Sequence, residues 1–391
     1  MGTQDPPAQP AAWQKLAKVE KVADKTIHSM ALNSASKLKV EQYLMLRVLW
    51  KPQKRFNFDP AMFGLDEWME KASRELNAYR SWNSYCANFT NDQLPEGTFA
   101  LPRFYQKQVS QVPEVGPFNY DVAAGPPTSP IASRTRSHLA ARMRETSLYD
   151  TPSKPPKTPP SKTYRFDEGE GEGESDGESE GEVTPWQAKS YGPLELLAQT
   201  FPRTKDEQIV NTALIDFLNA FIVHHGSPVQ WSLHRKPFIA DFAKSSIEAR
   251  TDGCLEEVDS PNRVHALVEV KPALRELALF PIAMQEAAQM VTWIKTNPDP
   301  QEITHSCGLN EIYITFAEYD RNYVKYLNDE LSPTEDPGFL LMHQFGPWDT
   351  EVAADMKAVG KILLAIVLRA DESCRKLKKE ESRRKREKGR R

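Results

Sequence analysis

Residues 246–272 read SIEARTDGCLEEVDSPNRVHALVEVKP. Apolar residues recur at alternate positions along Ser246–Leu255 and Arg263–Pro272, and the turn-rich Glu256–Asn262 lies between them, so the spacing predicts a β-hairpin. Side chains alternate faces along a strand. Val268 and Val270 therefore point into a core, Glu269 and Lys271 point the other way, and pairing brings Asp252 beside Glu269. Two carboxylates converging at the end of a sheet make a hard oxygen site suited to Mg²⁺ or Mn²⁺, with water and phosphate completing the shell. A lysine one step along the same face orients or deprotonates the attacking water, or stabilises charge on the phosphate.

Thr204–His225 has the signature of a capped helix. Thr204 is the N-cap, Glu207 closes a capping box, Ile209, Leu214, Phe217, Leu218, Phe221 and Ile222 form the apolar stripe, and Gly226 ends it. Strands are expected at Val229–Leu233 and Phe238–Phe242, a helix at Pro281–Lys295, strands at Glu311–Ala317 and Gly338–His343, and a closing helix at Thr350–Leu368. The order α-β-β-β-α-β describes an α/β fold, a mixed central sheet with helices on both faces.

The 391 residues do not read as one continuous globule. We expect a disordered N-terminus (1–36), a small, mostly helical module (37–118), a disordered linker (119–189), a principal domain (190–371) and a basic tail (372–391). The linker is rich in Pro and Ser, with Ser129-Pro130, Thr151-Pro152 and Thr158-Pro159 as sites for proline-directed kinases. It then becomes acidic over Asp167–Glu182, where no apolar residue offsets chain entropy. In the helical module a helix is expected over Lys37–Lys51. Its aromatics, including Trp50, Phe58, Phe63, Trp68, Trp82 and Tyr85, form either its core or a stacking face for nucleic acid. No apolar run is long enough to span a bilayer, and the four scattered cysteines lack zinc or disulfide spacing, so a reducing compartment and no membrane partner are expected. The net charge of −4 hides a segregation of sign, because Arg375–Arg391 is dominated by Lys and Arg. That tail reads as a nuclear-import signal, as a phosphate-binding patch, or as a solvated helix end; without it the expected residence is cytoplasmic.

The residues in Arg250-Thr-Asp252-Gly and Glu269-Val-Lys271, together with the capped helix and Gln285-Glu-Ala-Ala-Gln289, resemble the PD-(D/E)XK, or restriction-endonuclease-like, nuclease superfamily. The likeness covers about Leu194–Leu368 and is nearest to uncharacterised fungal members that carry a charged arm before the nuclease-like domain. It implies a restriction-endonuclease-like core and Mg-dependent hydrolysis of DNA, or less readily RNA. In that reading Asp252 and Glu269 hold the metal, Lys271 assists the attacking water, Gln285 steadies the strand end, and Glu207 adds an acid from the first helix. Gln289 stands where exonuclease-like members place Tyr, and no Pro precedes Asp252.

Bland readings stand beside these. Glu207 is explained by its capping box, Asp252-Gly253 by a turn, and Arg250 either meets phosphate or pairs with Glu248. Gln289 reads as a solvent contact or a hydrogen-bonder to substrate. His224, His225 and His234 have no metal-binding partner at useful spacing. The competing function is a nuclease fold without catalysis that binds nucleic acid or protein in the nucleus, and a third is a scaffold whose charged arms do the binding.

Overall fold

The computed structural model describes residues 5–89, 93–110, 207–271, 275, 279–297, 303–307 and 311–388. The linker, its acidic run and Thr204 lie outside the described residues. Residues 1–117 and 189–391 belong to one compact unit, so the segment expected to be a separate helical module is built into the principal domain.

Nine strands are described: β1 (Val48–Lys54), β2 (Val229–Ser232), β3 (Pro237–Phe242), β4 (Ser245–Arg250), β5 (Gly253–Glu257), β6 (Ser260–Val270), β7 (Ile303–Cys307), β8 (Glu311–Glu318) and β9 (Leu340–Asp349). Seven form a mixed sheet in the order β1-β9-β8-β7-β6-β5-β2, and β3 and β4 form a separate antiparallel ribbon. The β1–β9 and β6–β7 pairs are parallel and the other pairs antiparallel. It follows that β1, β6, β7 and β9 run the same way and end at one edge of the sheet.

Three sequence expectations are corrected here. The helix expected over Lys37–Lys51 is a short helix, α2 (Val40–Met45), followed by β1, because Val48, Leu49 and Trp50 are buried on both faces against β9 rather than along one helical stripe. The expected disordered N-terminus holds α1 (Pro10–Val19), opened by a proline in its first turn, with Trp13 and Ala17 buried and Trp13 Nε1 donating to the Leu44 carbonyl at 2.9 Å. The single strand expected over Ser246–Leu255 divides at Thr251-Asp252 into β4 of the ribbon and β5 of the sheet.

Helices cover both faces. One core gathers α3 (Asp66–Ala78), α4 (Arg80–Ala87), α5 (Ala100–Ser110), α6 (Glu207–Ala220) and α9 (Ala353–Lys388) over Val268, Val270, Ile314 and Phe345. Trp82, Tyr85, Phe58 and Phe63 lie in or against it, which places these aromatics in packing. The other core gathers α1, α2, α7 (Leu279–Thr296), α8 (Arg321–Asn328) and the ribbon over Trp50, Leu267, Leu340 and Met342. The period-2 pattern at the end of β6 thus sends Leu267 and Glu269 to the α7 face and Val268 and Val270 to the other. The closing helix expected to stop at Leu368 runs on to Lys388, held to the β5–β6 hairpin by Lys378–Asp259 at 2.7 Å and Arg263–Glu381 at 2.8 Å. Among the described residues, no helix is long and apolar enough to cross a membrane.

Gly253 is required by close approach rather than by a turn. A β-carbon there would lie 2.7 Å from the Ser232 carbonyl and 2.8 Å from Ile215 Cδ1 of α6. Gly253→Ala is expected to lower unfolding stability by ~1–3 kcal/mol through overpacking, measured by urea denaturation; an unchanged midpoint would show that the wall of the site yields freely.

Candidate active site

Asp252 occupies the gap between β4 and β5, and four hydrogen bonds fix it. Its amide donates to the Val268 carbonyl at 3.0 Å, and its carbonyl accepts from Asn211 Nδ2 of α6 at 2.9 Å. Oδ2 accepts from the Val270 amide at 3.0 Å and Oδ1 from Arg235 Nη2 at 2.8 Å. The backbone leaves the ladder at this point because its side chain takes the place of a strand partner for Val270.

Glu269, at the carboxyl end of β6, meets Lys271 and α7. Lys271 Nζ donates to Glu269 Oε1 and, at 3.0 Å, to Gln285 Oε1. Gln285 Nε2 donates to Glu269 Oε1 and Gln289 Nε2 to Glu269 Oε2; Gln289 Nε2 also reaches the Arg250 carbonyl at 2.8 Å. Gln285 and Gln289 reach the same carboxylate because residues four apart share a helix face. Gln289 is therefore buried against Glu269 rather than being a solvent contact. Asp252, Glu269 and Lys271 keep 4%, 4% and 3% of their surface, whereas the Arg235 side chain keeps 67%, so Arg235 is the arm that connects the site to solvent.

Burial pushes the Glu269 carboxyl up to about 8, and the neighbouring Asp252 charge adds to the rise while Lys271 opposes it. A carboxyl raised on folding contributes its stability below its ordinary value of 4.5 and loses it as pH climbs through about 8. Relative to Glu269→Gln, the parent chain in chelator should therefore lose stability between about pH 5 and pH 8, followed by urea denaturation across that range. A difference that does not change with pH would contradict the burial of this acid.

The structure brings Asp252, Glu269, Lys271, Gln285 and Gln289 together. Arg250 pairs with Glu248 at 2.7 Å on the exposed side of β4. Glu207 opens α6, but its side chain lies outside the described residues; one turn on, Asn211 is the residue of α6 that holds Asp252. Sequence reasoning missed both Asn211 and Arg235. Arg235 carries no periodic signal, lying in the irregular connection between β2 and β3, whereas Asn211 stands one helical turn beyond the acid that was singled out. Among the described residues, no group of three or more His, Cys, Asp or Glu side chains is placed to hold a metal, so a cation here would rest on two carboxylates. The donor set suits a hard divalent cation, which prefers one or two carboxylates with water and phosphate. The high Glu269 pKa is the cost of a second buried negative charge beside Asp252, and a divalent cation offsets that cost.

No protein-family description, no curated protein and no solved structure matches this chain.

Proposed function

We propose that this chain is a Mg²⁺- or Mn²⁺-dependent phosphodiesterase of restriction-endonuclease-like architecture that cleaves nucleic acid, DNA in preference to RNA. One observation supports it above the rest: two buried carboxylates and a buried ammonium meet at the carboxyl end of β6, steadied by two amides of one helix. Asp252 and Glu269 would hold the cation, which when bound lowers the pKa of a water and offsets charge on a phosphate oxygen. Lys271 donates a hydrogen bond that orients the attacking water or stabilises charge on the phosphate. Gln285 accepts from that ammonium and so fixes its direction. Arg235 leaves Asp252 as the site fills and turns its guanidinium to the incoming phosphate, a geometry that arginine matches well.

A second reading, a nuclease fold that binds without cutting, draws on the fact that the carboxylate oxygens of Asp252 and Glu269 already accept internal hydrogen bonds. In either reading Arg383, Arg384, Lys385 and Arg386, exposed on the last turns of α9, serve as a nuclear-import signal. The assay incubates the full chain with single- and double-stranded DNA and RNA in Mg²⁺ or Mn²⁺, beside Asp252→Asn. Metal-dependent cleavage lost in the variant is the expected result. Intact substrates throughout would favour the binding module, and equal cleavage by both proteins would remove the site from the reaction.

A further inference from the structure

A second cleft lies on the same face and the same edge of the sheet. Glu269 pairs with Ser306 across β6–β7, and Ser306 pairs with Tyr313 across β7–β8. Glu269 and Tyr313 thus stand in one row, two strand spacings or about 10 Å apart. Alternation along β8 sends Ile312 and Ile314 into the α6–α9 core, leaving Tyr313 on the α7 face with Glu269 and Lys271. Tyr313 also sits at a break in the β8–β9 register, and such bulges re-aim side chains beside active sites. Gly346 accommodates the ring, since a β-carbon there would lie 2.7 Å from Tyr313 Cδ1.

The cleft beyond this row encloses about 330 Å³ and is lined in part by Pro52, Lys54, Arg275, Tyr313, Gln344 and Pro347. That volume is at the lower end of small-ligand sites, which run to roughly 300–1,000 Å³. Pro52, Tyr313 and Pro347 supply apolar surface for a flat ring. Gln344, 4% exposed, donates through Nε2 to Thr315 Oγ1 at 3.4 Å and turns its amide edge to polar ring atoms, and exposed Lys54 supplies a cation for an attached phosphate.

We infer that this cleft is a subsite for the base of a nucleotide whose phosphate lies at Lys54. The assignment rests on the proposed nucleic-acid substrate but not on cleavage. It is tested by isothermal titration of the full chain in EDTA with adenosine 5′-monophosphate and with ribose 5-phosphate, repeated with Lys54→Glu and Tyr313→Leu.

Adenosine monophosphate should bind at least tenfold more tightly than ribose phosphate. Lys54→Glu, at an exposed position, should weaken it at least fivefold, as should Tyr313→Leu. Equal affinity for the two probes, no binding of either, or no effect of Lys54→Glu would overturn the subsite. If these expectations hold while no cleavage occurs in metal, the proposed hydrolysis fails and the subsite stands.

Discussion

Lys271→Met is expected to cut metal-dependent cleavage by at least about 10²-fold, the low end of what a positioned proton donor contributes, while the chain still unfolds cooperatively. Lys271 is buried and bonded to both Glu269 and Gln285, and its charge is what holds the Glu269 carboxyl down against burial and Asp252. Without that ammonium, Glu269 rises further and holds the proton it carries at neutral pH more tightly. The bound proton spares the fold a buried unpaired charge, and its tighter hold opposes metal ligation. Catalysis and ligation are therefore lost together in a folded protein, read by cleavage assay beside thermal unfolding. Parent-like cleavage by Lys271→Met would exclude the lysine from the chemistry.

Arg275→Ala should be the most destabilising single change away from the carboxylates. Arg275 meets Glu286 of α7 through two hydrogen bonds, at 2.6 Å from Nη1 and 2.5 Å from Nη2, with side chains only 5% and 7% exposed. Its guanidinium also lies 5.6 Å from the Trp50 ring centre and 5.2 Å from that of Tyr313. Removing one partner of a buried ion pair leaves the other charge uncompensated and costs about 3–5 kcal/mol, whereas replacing both with apolar residues of similar size is often close to neutral. Urea denaturation should show that loss for Arg275→Ala and recovery of most of it in the double variant Arg275→Met, Glu286→Leu. A loss under about 1 kcal/mol would place this pair with the weak exposed ones.

The local pattern in the chain was enough to place Glu269 and Lys271 on one strand face, Asp252 beside them, and Gln285 on the helix that follows. Each depends on a period of 2 or 3.6 residues within a short span. What the chain hid was set by distant pairing. β1 belongs to the sheet because it lies parallel to β9, with Val48 facing Leu340, and no local pattern in Val48–Lys54 announces a partner nearly three hundred residues away. β7, five residues long, gives too short a run to register. α8 was legible and overlooked: Asp320 caps it through the Tyr323 amide at 2.8 Å, and Tyr323, Tyr326 and Leu327 repeat at helical spacing. The break at Thr251-Asp252 escaped notice because an alternating run gives no sign of where its backbone leaves one partner for another.

The most direct test of the two-carboxylate centre is Mn²⁺ binding followed by electron paramagnetic resonance on the full chain at pH 7, with proton release measured in parallel. The parent should bind one Mn²⁺ at this site and release about one proton, as Glu269 gives up the hydrogen it holds at neutral pH; Asp252→Asn and Glu269→Gln should each lose that ion. Equal binding by all three proteins, with no proton released, would contradict the centre.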